Sequence, residues 1–319
     1  MAIERVAVIG AGAWGTALAQ AAATAGRHVT LIGRNQDVLA EINVAHTNRR
    51  HLGMLKLSPH ISASPRYSGA DLVILAMPAQ ATRAALAVLG NLGEPVVLSA
   101  KGLEHGTLKR QSEILAELAP NAEPFVLSGP SFAVDVAAGR PTAVTLAGDS
   151  DSRTEAIATA LAGPSFRLYA AGDVTGVELC GALKNVYALA AGAVDGAKLG
   201  ASARAGLIAR AFAELSRIIP ALGGRVETLN GLAGLGDLAL SCTSSQSRNY
   251  RHGVALGSGT AAPGELAEGV FTAPVALALA HQAGVDAPLI EAVNLLLSGS
   301  ASIEKIVAGL MSRPLKREN

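Results

Sequence analysis

The chain has 319 residues, half of them hydrophobic, and 16% are Asp, Glu, Lys or Arg. This excludes an intrinsically disordered chain, which combines low hydrophobicity with high net charge, and the length suffices for two domains. With 26 basic against 25 acidic residues and 3% aromatics, neither overall charge nor stacking groups argue for a nucleic-acid or membrane-surface binder. Two cysteines, Cys180 and Cys242, cannot make a disulfide framework, and no Cys/His spacing calls for zinc. No metal is therefore expected, and a reducing, cytoplasmic setting fits best.

Residues 6–25 carry no charge and end in a run of small residues, the outline of a secretory signal. Glu4 cancels Arg5, however, and Gly10, Gly12, Gly15 and Gln20 interrupt the apolar run. The same interruptions make a dinucleotide-binding turn, which is the preferred reading. Strands are predicted at 5–9, 28–32, 72–77, 96–100, 125–127, 143–146 and 166–169, several without polar alternation, as in strands covered on both faces. Between them, 15–25, 79–89 and 109–118 show helical spacing. Strand and helix in succession predict an α/β, doubly wound, mostly parallel sheet of Rossmann type. After Asp173 the strand signal fades, and 174–194, 203–222, 273–283 and 288–298 read as helices, with Pro220 near a helix end. The expected division is a dinucleotide-binding domain over 1–172 and an all-α substrate domain over 173–319. The polar tail from Arg313 is expected to fray.

Gly10-Ala11-Gly12-Ala13-Trp14-Gly15 directly follows the first strand and opens an Ala-rich helix. Among 35 glycines such spacing arises readily by chance, so its position in a βαβ unit carries the argument. The first glycine permits the turn, the second lets backbone approach a pyrophosphate, and the third allows close helix–strand packing. The helix N-terminus adds N–H donors and a positive dipole end. Where an NAD enzyme carries an acid after its second strand, this chain has Gly33-Arg34-Asn35. Arg34 can pair with a 2′-phosphate, which favours NADPH over NADH; the alternative is an ordinary solvated loop residue.

Lys184 lies in an apolar stretch whose only other charge between Asp173 and Asp195 is Glu178. Burial without a partner is costly for lysine and lowers its pKa; the alternative is a lysine that snorkels to the surface. Gly181, three residues earlier, leaves room for a ligand or another backbone. Gly231–Asp237 delivers one carboxylate on a flexible, glycine-lined approach, and 241–249 concentrates hydroxyls, an amide and a guanidinium. Ser247, Arg248 and Asn249 form a phosphate cradle or, on the other reading, a capped polar loop. Cys242 reads as packing. Lys101-Gly102 and Ser128-Gly129-Pro130-Ser131 follow predicted strands, placing both at the carboxyl edge of the sheet, where such folds bind ligands.

Taken together, the segments GAGAWGTALA, NRRHL, AKGLE, SGPSFA, ELCGALKNVYALAAG, ARAGLI, GLAGLGDL, CTSSQSRN and AEG, in order from residue 10 to 269, resemble the bacterial NAD(P)-dependent sn-glycerol-3-phosphate dehydrogenases. The resemblance implies reversible reduction of dihydroxyacetone phosphate, supply of glycerophospholipid synthesis, a cytoplasmic location and a homodimer. It implies that Lys184 transfers the proton with Asp237 beside it, and that Lys101, Gly129, Ser131, Ser247, Arg248 and Asn249 face the substrate. By matching positions Ala13, Trp14, Arg34, Ala133, Leu266 and Glu268 touch the dinucleotide, as do Lys101 and Arg248. Ala13 stands where the family often has Ser, and His51 replaces a common Tyr, so His51 is given no role. Two rival classes are a 3-hydroxyacid or 6-phosphogluconate dehydrogenase, against which SRN and GLGDL argue, and a non-enzymatic nucleotide sensor, which would not require Lys184, Asp237 and Arg248 together.

Overall fold

The computed structural model describes residues 3–261 and 263–312; the tail expected to fray from Arg313 lies outside them. Eight strands form one sheet: β1 (Arg5–Ile9), β2 (His28–Ile32), β3 (Ile61–Ser64), β4 (Leu72–Leu75), β5 (Val96–Leu98), β6 (Pro124–Ser128), β7 (Thr142–Ala147) and β8 (Phe166–Ala171). Their spatial order is β3-β2-β1-β4-β5-β6-β7-β8. All neighbours are parallel except β6 and β7, which pair antiparallel. The chain runs outward from β1 to β3 and then crosses back to β4 on the other side. That reversal opens a crevice at the carboxyl ends of β1 and β4, the usual ligand position in a doubly wound sheet. The sheet's two faces are buried in separate apolar clusters, which explains the unbroken Leu-Val-Ile-Leu of β4.

The differences from the sequence pattern have local causes. The strand expected over 72–77 stops at Leu75, because Ala76 and Met77 turn away against Gly10, where a Cβ would lie 2.8 Å from the Ala76 oxygen. The strand expected over 96–100 stops at Leu98, and Ser99 closes its end, its N–H and its hydroxyl both donating to the Leu75 carbonyl at 3.1 and 2.8 Å. β3 was not foreseen: it is a short edge strand, Ile-Ser-Ala-Ser, with one deeply buried side chain. Helices Gln36–Ala45, Asp151–Leu161 and Arg248–Ser258 lie outside the expected segments. Pro220 falls in the last turn of helix Ala201–Ala221, near a helix end as expected.

Beyond the sheet the described residues are mainly helical, and their centre is helix Val174–Gly196, buried at every residue from Gly176 to Val194. By length and composition this helix could cross a membrane, but its apolar window is wholly buried inside the protein. Asp173 caps its N-terminus, accepting from the Gly176 N–H at 2.9 Å, and also accepts from the Arg225 N–H at 2.9 Å and the Thr228 hydroxyl at 2.5 Å.

Helix Arg248–Ser258 packs backbone to backbone against this central helix. A Cβ at Gly192 would lie 2.0 Å from the Tyr250 oxygen, and one at Gly196 would lie 2.2 Å from that of Val254. Reciprocally, a Cβ at Gly253 would lie 2.0 Å from the Leu189 oxygen, and one at Gly257 would lie 2.1 Å from that of Ala193. Two glycine pairs spaced by four residues thus interlock, and the second helix is seated by direct backbone contact with Tyr250 and Ala255 buried beside it. Gly253→Ala should destabilise the fold by about 1–3 kcal/mol, the range for overpacking. Gly206→Ala, in open space on helix Ala201–Ala221, should be neutral or stabilise by up to about 1 kcal/mol. Denaturant midpoints of the two variants check this, and equal midpoints would refute the close approach.

Candidate active site

Where β1 ends, Gly10 adopts φ +117°, and its N–H donates to the Ile32 carbonyl at 2.8 Å. Gly15 lies so close to Gly10 that any Cβ would overlap its carbonyl. Gly12 differs: it caps helix Ala13–Thr24, and a Cβ there would meet nothing within 4 Å. The open face therefore lies at the second glycine, beside a helix N-terminus with no acidic side chain in its first turn. This is a cradle into which a pyrophosphate fits. The buried Asn48 braces it, donating to the Ala11 carbonyl at 3.1 Å and to the Thr16 hydroxyl at 2.8 Å. Arg34, two residues past β2, is exposed and has no partner among the described residues. Ala13 and Trp14 are half-buried at the start of the helix, and the Trp14 Nε1 is buried without a partner.

At the carboxyl end of β5, Lys101 reaches across the crevice. Its Nζ donates to Asp237 Oδ2 at 2.7 Å and to the Gly129 carbonyl at 2.9 Å. Lys184, from the central helix, donates to Asp237 Oδ1 at 2.6 Å and to the Ser241 hydroxyl at 2.6 Å. One carboxylate with 0% exposure thus holds two ammonium groups. Burial works to raise the Asp237 carboxyl, but the charges of Lys101 and Lys184 outweigh it and hold the group below the usual carboxylate range. For Lys101, burial and then the charge of Lys184 prevail over Asp237, and its ammonium is pushed down to about 8. With both lysines charged, the cluster keeps one positive charge in excess.

The approach to Asp237 is not the flexible segment expected. Leu232–Gly236 is a π-helical turn that runs directly into helix Asp237–Thr243, and Gly234 packs so tightly on Leu229 that a Cβ would lie 2.3 Å from its oxygen. Such turns recur at functional sites. Space at Gly181 is filled by protein: a Cβ there would lie 2.6 Å from the Ser128 Oγ and 3.5 Å from the Lys101 side chain. Gly129 follows β6 with φ +142°, a backbone conformation that favours glycine, and its carbonyl also accepts from the Ser131 hydroxyl at 3.0 Å.

The third group lies at the N-terminus of helix Arg248–Ser258. Ser247 is its cap, its hydroxyl accepting from the Tyr250 N–H at 3.3 Å, while Arg248 points outward and is exposed. Buried Asn249 donates to Asn185 Oδ1 at 2.8 Å and accepts from the Gly269 N–H at 2.8 Å. Asn185 in turn donates to the Lys101 carbonyl at 2.7 Å. Glu268, beside Gly269, accepts from the Ala79 N–H at 3.1 Å, and its Oε2 is buried without a partner. Burial raises the Glu268 carboxyl, partly opposed by that N–H and by the charge of Arg248.

The structure therefore joins Lys101, Gly129, Ser131, Lys184 and Asp237 in one cluster and links Asn249 to it through Asn185. Arg248 stands apart from the lysines, coupled to Glu268 by charge. Ala133 opens the short helix Ala133–Ala137, and Leu266 is half-buried just before Glu268. Sequence reasoning gave no role to Ser241, Asn185 or Asn48. Ser241 was discoverable, being one helical turn after Asp237; Asn48 had no local signal. Cys180 and Cys242 are buried, and burial pushes both thiols up to about 12, as packing residues require. Among the described residues no cluster of His, Cys, Asp and Glu has the makings of a metal site.

Comparison with known proteins places this geometry. Residues 5–154 match the family described as NAD-dependent glycerol-3-phosphate dehydrogenase N-terminus, and residues 173–308 match the corresponding C-terminus. The chain is 50% identical to glycerol-3-phosphate dehydrogenase [NAD(P)+] of Bradyrhizobium diazoefficiens, covering 99% of both chains. It is 49% identical to the enzyme of that name from Brucella canis, again covering 99% of both. The solved glycerol-3-phosphate dehydrogenase of Coxiella burnetii superposes with a TM-score of 0.91 at 35% identity, covering 98% of this chain and 99% of that one. A glycine turn open at a helix N-terminus, a carboxylate shared by two lysines and these full-length likenesses agree: the chain belongs to the NAD-dependent glycerol-3-phosphate dehydrogenase family.

Proposed function

We propose that this chain reversibly reduces dihydroxyacetone phosphate to sn-glycerol 3-phosphate, taking NADPH in preference to NADH. The observation that carries this reading is the buried Lys101–Asp237–Lys184 cluster with its one excess positive charge, set beside the capped helix that presents Ser247 and Arg248. Residues 1–172 form the dinucleotide-binding domain and 173–319 the substrate and catalytic domain, with each lending some groups to the other's ligand. The Gly10–Gly15 turn holds the pyrophosphate, Arg34 the 2′-phosphate, and Ala13, Trp14, Lys101, Ala133, Arg248, Leu266 and Glu268 the rest. When bound, the nicotinamide supplies hydride to C2 of the ketone. Lys184, as an ammonium, then hydrogen-bonds and protonates the resulting alkoxide; in the oxidation direction, neutral Lys184 takes that proton back. Asp237 orients the lysine rather than delivering protons. Ser247, Arg248 and Asn249 hold the substrate phosphate, with Gly129 and Ser131 on the opposite side, so that remote binding aligns the carbonyl. The product feeds glycerophospholipid synthesis, and the enzyme works as a cytoplasmic homodimer; the two free, buried cysteines suit a reducing compartment.

The primary test is consumption of NADPH and NADH with dihydroxyacetone phosphate and with dihydroxyacetone. The phosphorylated ketone should be favoured by at least about tenfold in kcat/KM, the equivalent of about 1.5 kcal/mol for one charge-assisted contact. Equal turnover of both ketones would refute phosphate recognition. Lys184→Ala, shown to be folded, should lose about 10²–10⁴-fold in kcat with NADPH affinity nearly intact; activity within a factor of about two would remove Lys184 from the proton step. Arg248→Lys, assayed at saturating NADPH, should weaken the phosphorylated substrate selectively by about 1.5–3 kcal/mol, because an ammonium lacks the planar fork. The same loss for both ketones would transfer the anchoring role to Lys101 or to the backbone at Ser247.

A further inference from the structure

Lys101 sits on an irregular segment between β5 and helix Gln111–Leu118, where no ladder or helix satisfies the backbone. Three consecutive carbonyls of that segment each accept from a carboxamide side chain belonging to a different element. Asn185, on the central helix, donates to the Lys101 carbonyl at 2.7 Å. Gln111, at the start of its own helix, donates to the Gly102 carbonyl at 3.0 Å. Gln80, in the turn after β4, donates to the Leu103 carbonyl at 2.7 Å, and its Oε1 accepts from the His105 N–H at 2.9 Å.

We propose that Gln80 and Gln111, with Asn185, are positioning residues for Lys101: together they clamp three successive carbonyls and set the register from which its Nζ reaches Asp237 and Gly129. The chemistry of the group suits the task. A carboxamide donates without bringing a charge, and a charged donor so near two lysines and one carboxylate would disturb the balance of the cluster. Space is closed around the segment as well: a Cβ at Gly102 would lie 2.8 Å from both the Ala79 Cβ and the Glu268 Oε2. The loop can shift only if the clamp lets go. Gln111 is 1% exposed, and removing its amide leaves the Gly102 carbonyl buried without a donor, at which point the segment must move to find one. Gln80, half-buried, spans two points of the same segment and resists that movement from the sheet side.

The inference rests on the reading of Lys101 as a substrate- and cofactor-facing group. A double-mutant cycle separates the two. Gln111→Met and Lys101→Met are measured singly and together for kcat and KM with dihydroxyacetone phosphate, alongside NADPH affinity and thermal melting. Gln111→Met alone should lower kcat by about fivefold or more, a typical coupling for residues in one network, while NADPH affinity stays within about twofold. In the Lys101→Met background the same change should have no further effect on kcat, since the group it positions is gone. A merely structural glutamine would lower both backgrounds by the same factor, and that additive result, or an unchanged kcat in the first background, overturns the proposal. Lys101→Met retaining wild-type turnover would instead sink the reading of Lys101 itself. Should Gln111→Met fail to fold, Gln80→Met takes its place in the cycle: without adding a charge it removes the donor to the Leu103 carbonyl and the acceptor for the His105 N–H, with the same two outcomes deciding.

Discussion

Asp237 is the point on which this molecule turns. Two lysines come from segments 83 residues apart in sequence, one on a loop at the sheet edge and one on the central helix, and neither could be buried near the other alone. Like charges at that range repel, and each ammonium carries a desolvation cost. A carboxylate between them, with one oxygen for each, offsets both costs and still leaves one positive charge over. Its own burial is tolerable only because both cations are present. The π-helical turn that delivers Asp237, the helix that continues from it to Ser241, and the tight packing of Gly234 on Leu229 keep this carboxylate from swinging away.

Around that centre the structure uses close backbone approach and side-chain amides rather than bulky packing. Glycine pairs let helix Arg248–Ser258 lie directly on the central helix, so Ser247, Arg248 and Asn249 stand at a fixed height relative to Lys184. Asn249 and Asn185 then pass a chain of hydrogen bonds from the Gly269 N–H to the Lys101 carbonyl. A further tie closes the other end of the central helix: Asp195 accepts from Arg204 and from the Tyr250 hydroxyl, beside Asn249. Neutral amides and hydroxyls thus supplement the ion pairs in fixing the charged groups, and their bonds lose less to salt than exposed ion pairs do.

Much of the fold was legible because its signals are local. Glycines at Gly10, Gly12 and Gly15 after an apolar run, the alternation of strand and helix, and the loss of strand character after Asp173 each follow from nearby residues. Lys184 stood out because a lone cation in an apolar helix is costly. Less legible were elements whose stability comes from elsewhere. β3 is held by its edge pairing with β2, and helix Arg248–Ser258 is held by glycine contacts with a central helix distant in sequence.

By itself the sequence determined which groups are available: a glycine turn opening a helix, two lysines, a carboxylate and a cluster of hydroxyl, amide and guanidinium donors, with the order of elements that sends the strand ends to one edge. Only the tertiary structure decided which of them meet. That Asp237 serves Lys101 as well as Lys184, that Gly181 makes room for Ser128 and Lys101 rather than a ligand, and that Gln80, Gln111 and Asn185 converge on three consecutive carbonyls are facts of long-range packing. No periodicity encodes them, because each hydrogen bond depends on where two distant backbones stop, to within a fraction of an ångström.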